Sequence, residues 1–150
     1  MTLSPDEVAG IVDLFGALRP AELDRAREEY GFRRDEAVPE SDVEAAVEAY
    51  ALVGYERDGD RYLAVGPAAF PALPEGAEDL PHILDVESRA PDRAALERAA
   101  EERFRGDVAR AVAAEDDDEI RRLLDVSYDL EAWGDLALAD LRARLDDALA

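Results

Sequence analysis

The sequence predicts a mostly helical α+β protein, with three helices and a β-hairpin at the N-terminus followed by a C-terminal helical unit. Three observations carry this prediction. Apolar residues recur at three- and four-residue spacing along most of the chain, an Asp-Gly pair separates two short apolar runs, and a proline-rich stretch interrupts the chain between residues 66 and 91. The divisions we expect are 1–66, 67–90 and 91–150.

Capping signals place the three N-terminal helices. The motif SPDE at residues 4–7 combines an N-cap serine, a proline at the first helical position and a glutamate three residues after the cap. Pro20 begins the second helix, which we expect to end at Gly31. The motif SDVE at residues 41–44 repeats the capping box and starts the third helix. Their predicted apolar faces are Val8, Ile11, Val12 and Phe15; Leu23, Ala26 and Tyr30; and Val43, Ala46, Val47 and Tyr50.

The period of the apolar residues then changes from that of a helix to that of a strand. Two short runs, at residues 52–55 and 62–65, flank Asp58-Gly59, a pair that favours the positive φ angles of a tight hairpin turn. Three short helices followed by such a hairpin resemble a winged-helix unit over residues 4–66, with the hairpin as the wing. The resemblance implies contact with a partner through the third helix and the wing. A helical bundle with an attached hairpin is the alternative.

The charges on the third helix disfavour DNA as that partner. Carboxylates occupy much of its polar surface, at Glu40, Asp42, Glu44 and Glu48. No Arg, Asn or Gln stands between Ser41 and Val53 to read a base edge. A carboxylate cannot act as a phosphate ligand at contact distance, so direct readout by this helix is not expected.

The residues left for partner contact give two alternatives. Another protein is the expected partner, with the hairpin tyrosines Tyr55 and Tyr62 as aromatic contacts. The disfavoured alternative is a winged-helix transcriptional regulator that holds a nucleic-acid backbone through Arg33, Arg34, Arg57 and Arg61. We expect these four arginines to pair with neighbouring carboxylates instead.

Residues 67–90, which we call the strap, carry too many prolines for long regular structure. They also carry too many large apolar side chains for a solvated tether, at Phe70, Leu73, Leu80, Ile83, Leu84 and Val86. We therefore expect an irregular segment packed against the N-terminal unit, with a short strand or a single turn at residues 82–86. A flexible linker is the alternative.

Helical spacing returns after the strap. Pro91 starts a long helix with a predicted apolar stripe at Leu96, Ala100, Phe104, Val108 and Val112. The five carboxylates at 115–119 suit the positive end of the next helix and lack the glycine and distant glutamate of a calcium loop. The last helix shows Leu138, Leu141, Leu145 and Leu149, and we expect Trp133 to anchor its entry in the core.

Missing residue types exclude several kinds of chemistry. The chain has no Cys, so thiol nucleophiles, disulfides and Cys-ligated metals are excluded. It has no P-loop or dinucleotide fingerprint, and its one histidine, His82, is expected to be stabilised by Asp79 and Asp85. We expect no catalytic residue, no cofactor and no metal, although a carboxylate pair for hydrolysis stays open among so many acids. No apolar run suits a membrane span and no basic leader precedes the first helix, so a cytoplasmic location is expected.

The charge composition indicates the kind of solvent in which the protein functions. Asp and Glu number 38 against 17 Lys and Arg, all of them Arg, which gives a net charge of −21. This composition resembles that of haloarchaeal proteins. The whole chain, from LSPDEV through AFPALPEGAEDLPHILDVE to its end, resembles a small haloarchaeal family of uncharacterised acidic proteins with no assigned reaction or partner. This resemblance brings no activity with it. The winged-helix-like scaffold with an acidic third helix is the reason that we expect a non-enzymatic protein-interaction or regulatory module of a halophilic cytoplasm.

Salt should therefore stabilise the fold strongly. Uncompensated carboxylates repel one another in dilute buffer, whereas at about 1 M salt the Debye length is about 3 Å and the repulsion is screened. The melting temperature followed by circular dichroism should rise steeply between low salt and molar KCl. A parallel series in sucrose, which carries no charge, controls for cosolute exclusion. An unchanged spectrum and melting temperature in fresh water would contradict this explanation of the acidic surface.

Overall fold

The computed structural model describes every residue, Met1–Ala150, and the chain divides into two compact units, Met1–Leu96 and Glu97–Ala150. Its elements are α1 (Pro5–Phe15), β1 (Ala17–Leu18), α2 (Pro20–Arg33), α3 (Ser41–Glu48), β2 (Leu52–Arg57), β3 (Asp60–Val65), α4 (Leu80–Ile83), α5 (Arg93–Ala113), α6 (Asp117–Trp133) and α7 (Ala139–Leu149). The predicted fold class is confirmed: helices with a small antiparallel sheet come first and a helical unit follows. The predicted divisions at residues 66 and 90 stay predictions.

The predicted start of α1 is confirmed. The Ser4 side chain accepts a hydrogen bond from the Glu7 backbone N–H at 3.1 Å, and the Glu7 carboxylate accepts one from the Ser4 N–H at 3.0 Å. The helix buries its predicted stripe almost completely, at Val8, Ile11, Val12 and Phe15. It packs against α3 and β3, so α1 is central to the core of the first unit.

The hairpin is confirmed, and a third strand joins it. Strands β2 and β3 pair in register from Leu52 opposite Val65 to Arg57 opposite Asp60, and Asp58 and Gly59 form the turn at φ +52° and +83°. The two-residue strand β1 adds to the far edge of β3, which gives the order β1-β3-β2. The sequence does not predict β1, because two residues are too few to show a strand period.

Three helices end on a left-handed residue that is not glycine. After α2 the Asp35 N–H donates to the Phe32 carbonyl and the Glu36 N–H donates to the Gly31 carbonyl, the paired bonds of a Schellman motif. The same pairs of bonds close α3 at Tyr50 and α5 at Glu115; the φ angles of the three residues are +56°, +61° and +52°. The predicted end of α2 at Gly31 is therefore wrong, since the left-handed position falls four residues later.

The predicted capping box of α3 is also wrong. The N-cap is Glu40, its conformation is helical, and no side chain caps the helix. Asp42 turns inward instead of lying on the polar surface: it is 6% exposed, and its carboxylate accepts a hydrogen bond from the Leu3 N–H at 2.7 Å. The carboxylate that the sequence placed on the outer face of α3 thus fixes the segment that precedes α1.

The strap is irregular and is tied to α1 and to the end of α2 at several points. Asp6 of α1 accepts from the N–H groups of Phe70 and Ala72, and Tyr30 and Arg34 both donate to the Glu75 carbonyl at 2.8 Å. The single turn lies at Leu80–Ile83, earlier than predicted. Leu80 is buried and Leu84 and Val86 pack on the core, but Phe70, Leu73 and Ile83 are exposed, so half of the apolar side chains expected to pack do not.

The second unit consists of α6, α7 and most of α5. The long helix begins at Arg93, two residues after the predicted proline, and the Asp92 carboxylate accepts from the Ala95 N–H at 3.1 Å. The acidic start of α6 is confirmed, with Asp116 as the N-cap that accepts from the Glu119 N–H at 3.2 Å. Each helix buries one stripe, and α6 packs against α7. Trp133, expected to anchor α7, is the last residue of α6 and is half-buried.

A pair of glycine substitutions tests the contact between the strap and the end of α1. Gly16 has φ +90°, and a Cβ added there would overlap the Arg89 carbonyl. Gly16→Ala should lower the free energy of unfolding by about 3 kcal/mol, from backbone strain and overlap together. Gly59→Ala is the matched control, because its φ is +83° and a Cβ there meets nothing within 4 Å; it should cost about 1 kcal/mol. Equal losses in chemical denaturation would contradict the proposed contact.

Candidate interaction surface

The two hairpin tyrosines face each other across the sheet. Tyr55 of β2 lies opposite Tyr62 of β3, and their rings stack with centroids 5.6 Å apart. They lie on the sheet face opposite Leu52 and Leu63, which belong to the helical core. Tyr55 is only 4% exposed, and its hydroxyl accepts a hydrogen bond from the Asp92 N–H at 3.3 Å.

Two arginines cover the half-exposed ring of Tyr62. The Arg19 guanidinium lies 5.7 Å and the Arg89 guanidinium 5.2 Å from the ring centroid, within cation–π range. Arg89 also donates to both Glu22 oxygens, at 2.6 and 3.2 Å, and to the Ala17 carbonyl at 3.1 Å. We call Arg19, Glu22, Tyr55, Tyr62 and Arg89 the tyrosine–arginine cluster. Its contacts are within the first unit, and the assignment of Tyr55 and Tyr62 as partner contacts stays a prediction.

The electrostatics of the cluster are set by the pair of Glu22 and Arg89. The hydrogen bond from Arg89 lowers the pKa of Glu22 below its ordinary value of about 4.5, against the opposing effect of burial, and the Arg19 N–H adds to the lowering. The same bond raises the pKa of Arg89. Both groups are therefore held in their charged forms, and the pair is a fixed link between α2 and the strap.

The four arginines of the nucleic-acid alternative differ in their surroundings. Arg57 pairs with Asp58 and Asp92, at 3.8 and 3.6 Å. Arg34 bonds to the Glu75 carbonyl and lies over the Tyr30 ring. Arg33 and Arg61 are exposed and make no ion pair, so the expected pairing with carboxylates holds for Arg57 alone. Arg33 and Arg34 lie at the end of α2, whereas Arg57 and Arg61 lie at the tip of the hairpin.

The exposed side of α3 is acidic, as the sequence predicts. Glu44 and Glu48 point to solvent and the neighbouring exposed side chains are Ser41 and Ala45. None of these groups donates the paired hydrogen bonds by which proteins recognise guanine or adenine.

The most exposed aromatic side chain of the helices was not among the predicted site residues. Phe32, near the end of α2, is 81% exposed. It lies off the stripe formed by Leu23, Ala26 and Tyr30, which faces the core. A large apolar residue out of step with the buried face was the signal that could have identified it.

A recess lies beside Phe32. It has a volume of about 380 Å³ and is lined by Arg27, Glu28, Gly31, Phe32, Asp35, Glu36, Ala37 and Val38. The Schellman end of α2 turns the chain back, and Arg27 fixes the returning segment by donating to the Val38 carbonyl at 2.6 Å. Gly31 leaves room for this return, since a Cβ there would overlap the Glu36 carbonyl. Apolar atoms make up most of the lining surface, to which the exposed residues Glu28, Asp35 and Glu36 also contribute.

The one histidine is not among the residues that line this recess. His82 lies in α4, is exposed and forms no ion pair with Asp79 or Asp85, contrary to expectation. Across the whole chain, no three His, Asp or Glu side chains are grouped so that they could hold a metal ion. No helix is both long and apolar enough to cross a membrane.

Fold and surface together define a mostly helical α+β protein that displays an aromatic side chain beside an apolar recess. The chain belongs to DUF7109, a family of unknown function, whose model matches residues 6–150. No curated protein and no solved structure matches the chain.

The link between Glu22 and Arg89 should give a measurable pH dependence. Because the folded pKa of Glu22 is lowered, its stabilisation is fully present above pH about 4.5 and is lost as the pH falls through the folded value. Glu22→Gln should lower the free energy of unfolding at pH 7 by about 1–3 kcal/mol. The difference from wild type should shrink on acidification. Glu44→Gln, which removes an exposed carboxylate without an ion pair, is the control. A pH-independent difference for Glu22→Gln would contradict the assignment.

Proposed function

We propose that this protein is a non-enzymatic protein-interaction or regulatory module, and that its main contact surface is Phe32 with the adjacent recess. The observation that carries the proposal is the 81% exposure of Phe32 beside an apolar recess. Contact between an exposed aromatic side chain and water is unfavourable, so a partner that covers the side chain gains binding free energy. Aromatic residues dominate the energetics of protein interfaces.

The scaffold we propose for this module is a winged-helix-like unit. In favour of it are the element order α1-β1-α2-α3-β2-β3 and a strand order in which β1 pairs with the second strand of the wing. The acidic outer face of α3 favours a protein partner over DNA for such a scaffold. We further propose a cytoplasm of high salt as its location, in which carboxylates keep the surface hydrated.

A nucleic-acid role is the second candidate because Arg33 and Arg61 are exposed without ion pairs. Two features weigh against it. Arg34 and Arg57 are engaged within the chain, and the third helix offers carboxylates where a base-reading helix offers donors. Fluorescence anisotropy of labelled duplex DNA separates the two candidates: saturable binding that Arg33→Glu and Arg61→Glu abolish would favour DNA.

Site-specific crosslinking tests the protein-interaction proposal. A photoreactive phenylalanine analogue at position 32 should crosslink one polypeptide in an extract of the source cells at molar KCl. Position 70 is the matched control, because Phe70 is 83% exposed but lies on the strap. Excess unlabelled wild type should compete for the crosslink, whereas excess Phe32→Ser should not. No product at position 32, or the same products from both positions, would overturn the proposal.

A further inference from the structure

The surface around Phe32 is complementary to itself. It contains a protruding aromatic side chain and, directly beside it, an apolar recess that the same residue helps to line. A twofold axis brings the same patch of two copies face to face, so that each protruding group meets the recess of the other copy. A second copy therefore supplies both a side chain that fills the recess and a recess that covers Phe32.

Charge makes this patch a favourable place for a second acidic chain to approach. The chain as a whole has a net charge of −21, so two copies repel each other over most of their surfaces. Between residues 24 and 38 the charges nearly cancel, since five carboxylates are interleaved with four arginines. Repulsion between two copies is therefore weaker across this segment than the net charge of the whole chain would imply.

The charges on this patch also have the sign pattern of an antiparallel pairing. Arg25 lies seven residues before Phe32, two turns along the same face of α2, and Asp35 lies three residues after it. Arg25 and Asp35 are both exposed and neither makes an ion pair within the chain. Two antiparallel copies of α2 that cross near residue 30 place Arg25 of each copy opposite Asp35 of the other.

From these features we infer that the protein self-associates as a twofold dimer through the outer face of α2, with Phe32 of each copy in the recess of the other. The inference rests on the proposed function, since it names a second copy of the chain as the partner of the same surface. Two Arg25–Asp35 pairs flank the two aromatic contacts and fix the antiparallel direction.

Sedimentation equilibrium of the full chain over a wide concentration range tests the dimer. The measurement covers KCl concentrations from the lowest at which circular dichroism shows the complete fold up to molar, because salt screens both the repulsion between two chains of net charge −21 and the Arg25–Asp35 pairs. The wild type should show a monomer–dimer equilibrium, and Phe32→Ser should weaken it by at least tenfold. Phe70→Ser, which removes an equally exposed phenylalanine, should leave the dissociation constant unchanged. Circular dichroism of each variant verifies its fold.

A charge exchange tests the orientation independently of the aromatic contact. Arg25→Glu and Asp35→Arg should each weaken the dimer, because each places like charges opposite one another. The double variant should restore association, since the pair is then reversed. A simple loss of stability in either single variant would not be repaired by the second substitution.

The outcomes distinguish this inference from the broader proposal. A wild type that stays monomeric, a dimer unaffected by Phe32→Ser, or equal weakening by Phe70→Ser would overturn the twofold dimer. If a monomeric wild type still gives a specific crosslink from position 32 to a different polypeptide, the inference fails while the interaction module stands. If position 32 gives no crosslink and the wild type is monomeric, both fail.

Discussion

The first unit depends on one close approach, that of the strap to the end of α1 at Gly16. The Arg89 N–H donates to the Phe15 carbonyl at 2.9 Å, and the absence of a Cβ at Gly16 is what lets the two backbones come this close. From that point the Arg89 side chain reaches β1, the first turn of α2 and the ring of Tyr62. One residue of the strap therefore connects a helix end, the sheet edge, a second helix and the hairpin. The fixed backbone places the side chain within reach of these partners, and the contacts must offset the rotamer freedom that the arginine loses in making them.

The hairpin face that carries Tyr55 and Tyr62 is therefore covered by contacts within the first unit, whereas Phe32 on α2 is accessible to a partner. The tyrosines that the hairpin sequence suggested for a partner lie within a network of stacking, cation–π and hydrogen-bond contacts inside the first unit. Such groups would have to give up those contacts in order to meet another molecule. Phe32 has no comparable cover, because it lies off the buried stripe of α2. A side chain that breaks no existing hydrogen bond or stacking contact on binding is the better anchor. Phe32 is such a side chain, although the residues around it in the sequence form no motif.

Motifs formed by residues close in sequence predicted much of the fold. The rest depends on contacts between residues that are distant in sequence. The start of α1, the Asp58-Gly59 turn and the acidic start of α6 follow from bonds between residues close in sequence, which a motif records. The prediction for the start of α3 was wrong because the Asp42 carboxylate accepts a hydrogen bond from the N–H of Leu3, which is distant in sequence, and takes no part in a local cap. The two-residue strand β1 exists because β3 offers an edge to it. The recess had no sequence signature at all, since it arises where a helix end, a returning loop and the Arg27 side chain meet.

The left-handed residue that ends α2 has a consequence for how the chain can be stabilised. A residue with a side chain in this conformation lowers the free energy of unfolding by about 1–2 kcal/mol relative to glycine. Asp35, with φ +56°, therefore makes the protein less stable than glycine at the same position would. Glycine would relieve that strain and leave the helix length intact, but it would remove a carboxylate from the lining of the recess. Engineering for heat resistance at this residue would therefore act against recognition, an instance of the general conflict between stability and activity. Glu115 occupies the equivalent position after α5, remote in sequence from the recess, where the same replacement carries no such penalty.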